Sequence, residues 1–315
     1  MRRDLPVTRR GFFLATGAVS AGLFAAGRSP AAPPAAAKPP QRTCVVLLDG
    51  FGTDYFEQSP MPTLKSWAKQ GFFKRIQGVM PSVTNTNITG VCRGVHADGH
   101  GITGNSYWDA DGGREQFMSD GNLLTAATLF QRAARFGVRS ALLSAKQKTI
   151  PLLKQGTGLA VGAQQPPPEL VRKLGPPPDI YSPDVNYWVW EAALDVIKNR
   201  PAVGLIFVHT TDYPMHRYPP EAGESRAHLQ RIDDFLKAAS RADPGLAFFL
   251  TADHGMNAKA TVLNLGIVLA RRGVEVKVAM STERDPYPRH HGGHGGTAFI
   301  YLRSAEDVGK FLYRG

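Results

Sequence analysis

An α/β fold with a mostly parallel central sheet is predicted by two features of the chain. Three apolar runs, Cys44-Val45-Val46-Leu47-Leu48, Leu205-Ile206-Phe207-Val208 and Ala247-Phe248-Phe249-Leu250, have the continuous hydrophobicity of strands buried on both faces. Segments with helical periodicity alternate with shorter strand signals between and around them. Each run leads into an acid: Asp49 directly, Asp212 and Asp253 a few residues on. In an open α/β sheet ligands bind beyond the carboxyl ends of parallel strands, so the three acids are expected to converge on one crevice.

The remaining elements follow in order. Pro62 to Gln70 reads as a short helix, Phe72 to Val79 as a strand, Asn122 to Phe136 as an amphipathic helix stopped by Gly137, and Val138 to Leu143 as the next strand. Leu159 to Ser182, with its triplets Pro166-Pro167-Pro168 and Pro176-Pro177-Pro178, reads as an irregular excursion, and a reduced cap or substrate lid is expected at about 155–185. Helices at Asn186 to Asn199, Glu224 to Ala239 and Thr261 to Arg271 alternate with strand segments at Leu246 to Leu250, Val274 to Val278 and Ala298 to Leu302. No internal repeat is present.

Residues 1–40 are expected to be an address and a linker, with the folded body at 41–315. Thr8-Arg9-Arg10-Gly11-Phe12-Phe13-Leu14 matches a twin-arginine export signal, followed by an uncharged, Gly- and Ala-rich stretch to about Gly27. That stretch is short for a membrane span, the other reading being an N-terminal anchor helix. Ala31 to Pro40 is an extended Pro/Ala linker, with a cleavage region from about Ala26 to Ala37. The twin-arginine machinery is therefore an expected partner, and the periplasm or beyond the expected location.

Composition narrows the class. At 315 residues and 43% hydrophobic content, the chain can bury a full-sized core, which excludes a disordered protein. Arg2, Arg3, Arg9, Arg10, Arg28 and Lys38, less Asp4, place +5 of the formal +11 in the address and linker, leaving +6 for the body. A moderately basic body suits a small anionic substrate, and no basic run interleaved with aromatics points to nucleic acid. Cys44 falls in a buried strand and Cys92 in a helix, which reads as two small buried residues; the sequence gives no ground for a disulfide.

The candidate chemistry lies in seven ligand types in a fixed order: Asp49, Thr84, Asp212, His216, Asp253, His254 and a late histidine, His291 or His294. Pro81-Ser82-Val83-Thr84-Asn85-Thr86-Asn87 runs straight into Ile88 to Cys92, so Thr84 is expected where a turn opens a helix and free N–H groups favour an anion. Taken alone, Thr84 fits an N-cap. Beside a divalent cation, which lowers the pKa of a neighbouring hydroxyl, it fits a nucleophile. Asp212 and His216, four apart, face one side of a helix or converge from the tight turn that Pro214 favours. Asp253 and His254 would diverge on a regular strand, but can serve two neighbouring ions where the strand ends. Singly, these are satisfied histidines and helix-capping acids. Together they read as a two-metal hydrolase, with imidazole and oxygen donors that suit two zinc ions, and manganese or iron as well.

Leu48-Asp49-Gly50, Met80-Pro81-Ser82-Val83-Thr84-Asn85, Gly101-Ile102-Thr103-Gly104-Asn105, Thr210-Thr211-Asp212-Tyr213-Pro214-Met215-His216 and Thr251-Ala252-Asp253-His254-Gly255-Met256 resemble the alkaline phosphatase superfamily. Within it, they look like the branch of nucleotide pyrophosphatase/phosphodiesterases and, most closely, phosphonoacetate hydrolase. The likeness runs from about Cys44 to Leu302 and implies a three-layer sandwich around a mostly parallel sheet with a short cap insert. It also implies that Asp49, Thr84, Asp253 and His254 hold one zinc, that Asp212, His216 and the late histidine hold the other, that Thr84 is the nucleophile, and that Asn105 binds a phosphoryl oxygen. Ser144-Ala145-Lys146-Gln147-Lys148 resembles the paired-lysine segment of phosphonoacetate hydrolases, as does Asp285-Pro286-Tyr287 before His290-His291-Gly292, which favours His291; His294-Gly295-Gly296 resembles other superfamily members. In that family Lys146 and Lys148 would bind substrate; on their own they read as solvated surface lysines. The chain departs from the pattern at Thr86, where the family has Pro, and in its short cap, its stop soon after the last strand, and its export signal.

These features lead to an expected zinc-dependent hydrolase of a small phosphonate or phosphate ester, acting through a phosphothreonine intermediate. A nucleotide pyrophosphatase or phosphodiesterase is the second reading. An exported metal- or phosphate-binding protein without turnover is the third, and intact Thr84 argues against it.

Overall fold

The computed structural model describes residues 42–312 apart from 283, 285, 287, 288, 290–295 and 305. The export segment and linker expected at 1–40, and both His291 and His294, lie outside the described residues.

In chain order the strands are β1 (Arg42–Leu47), β2 (Ser106–Asp109), β3 (Arg114–Phe117), β4 (Arg139–Ser144), β5 (Leu159–Gly162), β6 (Val203–His209), β7 (Leu246–Thr251), β8 (Val276–Ser281) and β9 (Ala298–Leu302). The helices are α1 (Thr53–Gln58), α2 (Pro62–Gln70), α3 (Thr84–Arg93), α4 (Ala97–His100), α5 (Leu129–Arg135), α6 (Thr149–Leu153), α7 (Pro168–Leu174), α8 (Asp184–Asn199), α9 (Tyr213–Arg217), α10 (Gly223–Ala242), α11 (Leu265–Arg271) and α12 (Asp307–Leu312).

Side chains alternate across a strand, and β1 shows why the protein has three layers. Cys44 and Val46 point into a core with Ala141, Leu143, Ile206, Val208 and the inner faces of α8 and α10. Val45 and Leu47 point the other way, into a core with Leu142, Phe207, Ile88 and Cys92 of α3, and Phe130 of α5. Cys44 and Cys92 thus lie on opposite sides of the sheet, both buried and both free.

The five strands of the central sheet run in the order β5-β4-β6-β1-β7, every pairing parallel. Register places the site: Leu47 pairs with both His209 and Thr251, and Ser144 pairs with His209. Four strand ends therefore stand in one row, and the residues just beyond them, Asp49, Lys146, Asp212 and Asp253, emerge on one edge of the molecule.

Four expectations are corrected. Phe72 to Val79 forms no strand, since no neighbouring strand pairs with it, and Phe72, Phe73 and Ile76 are exposed. The helix expected from Asn122 starts at Leu129, where Thr128 and Gln131 form a reciprocal capping box; a short 3₁₀ turn, Gly121–Leu123, precedes it. The helix expected from Thr261 starts at Leu265, capped by Asn264. Leu159 to Ser182 is not irregular throughout: it supplies β5 to the sheet edge and α7, so the stretch considered for a reduced cap is in part built into the main body. β8 and β9 pair antiparallel with each other, outside the central sheet. Among the described residues no helix is long and apolar enough to cross a membrane.

Candidate active site

The sharp turn after β1 builds the first corner. Gly50 has φ 72°, and a Cβ there would lie 2.9 Å from Asp212 Cβ, so only glycine lets the β1 and β6 ends approach this closely. Asp49 is fully buried, its backbone N–H donating to Thr210 Oγ1 at 3.0 Å. Asp253, at the end of β7, turns Oδ1 toward two backbone donors, Gly50 N–H at 3.1 Å and His254 N–H at 3.0 Å. Its other oxygen, Oδ2, is buried and accepts no hydrogen bond from the described residues.

Thr84 opens α3, but the cap position is held by Val83, so the N-cap reading of Thr84 does not hold. Its hydroxyl instead faces the acids. Thr84 Oγ1 is 3.2 Å from His254 Nε2 and 3.5 Å from Asp49 Oδ1; His254 Nε2 is 3.5 Å from Asp49 Oδ1 and 3.4 Å from Asp253 Oδ2. A tetrahedral zinc site with bonds near 2.0–2.1 Å has ligand-to-ligand edges of about 3.3–3.4 Å. Four of the six edges, at 3.2 to 3.5 Å, lie close to that figure. His254 Nδ1 lies 3.0 Å from the backbone carbonyl oxygen of Gly255, to which it must donate, leaving the Nε2 lone pair for a cation.

The second pair sits across from this cradle. His216, in α9, places Nε2 3.0 Å from Asp212 Oδ2, the i to i+4 spacing expected of a turn begun by Pro214. Ligand atoms of Asp49, Asp212 and His254 all lie within 4.8 Å of one another. Lys146 reaches between the two groups, with Nζ 2.6 Å from Asp49 Oδ2 and 2.7 Å from Asp212 Oδ1. Lys146 is 1% exposed and Lys148 7%, so neither is a solvated surface lysine. Asn105 accepts from the Asn85 backbone N–H at 3.0 Å, which ties it to the first turn of α3. Thr86 is buried in the same turn, and α3 forms without the family's proline.

Charge is distributed unevenly. Burial and Asp212 push Asp49 up, yet Lys146, His209 and His254 together hold it well below the usual carboxylate range. Burial also opposes ionisation of Asp212, and Lys146 with His216 holds it low. Asp253 goes the other way: burial and Asp49 push it up to about 7. His254 is raised despite its burial, by Asp253, Asp49 and Asp212.

One residue of the site escapes the sequence reading. His209, the last residue of β6, is fully buried with Nε2 3.1 Å from Asp49 Oδ2 and Nδ1 2.8 Å from Ser144 Oγ. Burial holds it below its ordinary value, so a neutral ring donates from Nε2 to the carboxylate. The available signal was a polar residue closing an apolar strand three positions before Asp212.

Comparison with known proteins agrees with this architecture. A family model described as type I phosphodiesterase / nucleotide pyrophosphatase matches residues 43–307. The crystal structure of phosphonoacetate hydrolase from Sinorhizobium meliloti 1021 in complex with phosphonoacetate is similar with a TM-score of 0.78 at 27% identity, over 87% of this chain and 72% of that one. The alkaline phosphatase PafA shares the fold, with a TM-score of 0.61 at 14% identity over 78% of this chain and 72% of its own. By sequence, bis(5'-adenosyl)-triphosphatase ENPP4 of Bos taurus is 24% identical over 238 residues, 72% of this chain; the chain spans 50% of that protein's length. The chain belongs to the type I phosphodiesterase / nucleotide pyrophosphatase family.

Proposed function

We propose that the protein is a metal-dependent hydrolase of small phosphonates or phosphate esters, with Thr84 as nucleophile. The observation that carries this reading is the cradle itself: a threonine hydroxyl at a helix start, beside an imidazole and two carboxylates, with four of the six donor-to-donor edges close to those of a zinc tetrahedron. Asp49, Thr84, Asp253 and His254 would hold one ion; Asp212 and His216, with His291 or His294, would hold a second. Divalent ions bound there, zinc being the best match to these donors and manganese or iron also suited, would lower the pKa of the threonine hydroxyl and offset charge on phosphoryl oxygens.

The chain's own residues do the rest. Thr84 Oγ1 attacks phosphorus, forming an O–P bond as the bond to the leaving group breaks, and water then cleaves the phosphothreonine to release phosphate. Asn105, fixed against the start of α3, donates to a phosphoryl oxygen. Lys146 and Lys148 favour a phosphonoacetate-like substrate. Breaking a carbon–phosphorus bond expels a carbanion equivalent, which is tolerable when its charge spreads into an adjacent carboxylate held by buried cations. The likeness to phosphonoacetate hydrolase supports the same substrate class. A nucleotide pyrophosphatase or phosphodiesterase, with an alkoxide or phosphate leaving group, is the second reading, supported by the family model and the likeness to the bovine triphosphatase.

The paired Arg9-Arg10 supports export by the twin-arginine pathway to the periplasm or beyond. Phosphate release from phosphonoacetate, nitrophenyl phosphate and bis-nitrophenyl phosphate, with and without chelator, tests the assignment. Chelator-sensitive turnover with about two bound divalent ions per chain is expected, and metal-free, chelator-insensitive activity would overturn it.

A further inference from the structure

Lys146 does not serve the two halves of the acidic cluster alike. Its ammonium takes Asp49 Oδ2 and Asp212 Oδ1, at 2.6 and 2.7 Å. The cradle around Thr84 uses the other Asp49 oxygen, Oδ1, together with Thr84 Oγ1, His254 Nε2 and Asp253 Oδ2. Lys146 Nζ meets that cradle at Thr84 Oγ1, 3.5 Å away, a long contact for a charged donor. Asp253 Oδ2 accepts no hydrogen bond from the described residues. A cation can therefore enter there without breaking a strong contact.

The opposite pair differs. Asp212 has Oδ1 held by Lys146 at 2.7 Å, and its Oδ2 lies 3.0 Å from His216 Nε2, the other side chain that would ligate the same ion. Any ion coordinated by Asp212 and His216 must share that carboxylate with a buried ammonium, in a place where little solvent screens like charges.

We infer that Lys146 sets the order of metal loading: the first divalent ion occupies the Asp49, Thr84, Asp253 and His254 cradle with the lysine in place, and the second binds at Asp212 and His216 only by drawing Asp212 away from the ammonium. The inference rests on the metal-dependent reading above. It makes Lys146 a built-in rival of the second ion, separate from any part it plays in holding substrate.

Titration calorimetry of chelator-stripped protein with zinc chloride tests it. Wild type is expected to show a tight and a weak binding event. Lys146→Met should tighten the weak event at least tenfold and the tight one much less, while Lys146→Arg, which keeps a cation there, should leave the gap wide. Two equal events in wild type, or a weak event unmoved in Lys146→Met, would overturn the inference while leaving metal dependence intact. A wild-type protein that binds no zinc would instead remove the metal-dependent reading. Should Lys146→Met fail to fold, amine acylation of wild type followed by peptide mapping gives a second readout. Lys146 is expected to stay protected at one equivalent of zinc and to become labelled at saturation; protection throughout would count against the inference.

Discussion

The site contains the same Asp and His pairing twice, at the end of β6 and at the end of β7, and the two behave oppositely. Asp212 and Asp253 are both buried, yet Asp212 is held well below the carboxylate range and Asp253 is pushed up to about 7. Burial acts in the same direction on both and so cannot explain the difference. A buried cation does: Lys146 sits 2.7 Å from Asp212, while Oδ2 of Asp253 accepts no hydrogen bond from the described residues. The β6 half is electrostatically satisfied by the protein itself, and the β7 half is built to be satisfied by something else.

Four experiments test that contrast. Thr84 Oγ1 lies 3.2 Å from His254 and 3.5 Å from Lys146, so Thr84→Ala should reduce phosphate release on the order of a thousandfold or more for every substrate, with folding unchanged by circular dichroism. Retained turnover on any substrate would show that the threonine is not the shared nucleophile. Next in size, Lys146→Ala or Lys148→Ala should slow phosphonoacetate cleavage roughly a hundredfold while affecting nitrophenyl esters far less. Equal losses on both would tie the lysines to the cluster alone, and no loss on either would exclude them from substrate binding.

A smaller change is expected outside the ligand set. His209 orients Asp49, so His209→Phe should weaken zinc binding by about tenfold, measured by competition with a chromophoric chelator. The smallest effect concerns stability without metal. In the folded protein Asp253 titrates near 7 in place of its ordinary 3.8, and His254 near 9 in place of 6.5. Both values are raised, so the stability each contributes is complete at low pH and is lost as pH rises through the folded value. The lowered values of Asp49 and Asp212 leave their contributions flat in this range. The Tm of chelated protein should therefore fall by a few degrees between about pH 5 and pH 9, the Asp253 contribution below about pH 7 and the His254 contribution above it, in scans of the kind that resolve about 1 kcal/mol. Asp253→Asn should flatten most of the fall, as should added zinc; a Tm that rises over this range would contradict the contrast.

Much of this was legible in the sequence because strand ends leave a mark. Asp49, Asp212 and Asp253 stop or closely follow apolar runs, and the parallel register carries each to the same edge. Thr84 was legible only through its context, since a threonine before a helix is ordinarily a cap. His209 was lost because it belongs to the strand it terminates, and nothing local distinguishes a histidine that braces a carboxylate from one that fills a core. Phe72 to Val79 failed for another reason: strand propensity there is real, but a strand exists only where a neighbour offers its backbone. The capping residues Thr128 and Asn264 do mark their helix starts, and weighting them above periodicity would have placed both. The order β5-β4-β6-β1-β7 is set by crossovers and by packing on both faces, which no local pattern encodes.

That order also governs when the site can exist. Of the five central strands β1 leaves the ribosome first and β7 last, yet they lie side by side, with Leu47 against Thr251. The pairing joins distant parts of the chain, the kind of contact that forms late and slowly. Asp49 meets His254 only after that closure, so a nascent or partly folded chain has no cradle to offer an ion. With the metal-dependent reading proposed above, uptake of an ion would act as a check on completed folding: it would bind the finished chain, stabilise it by mass action, and leave unfinished chains to the proteases.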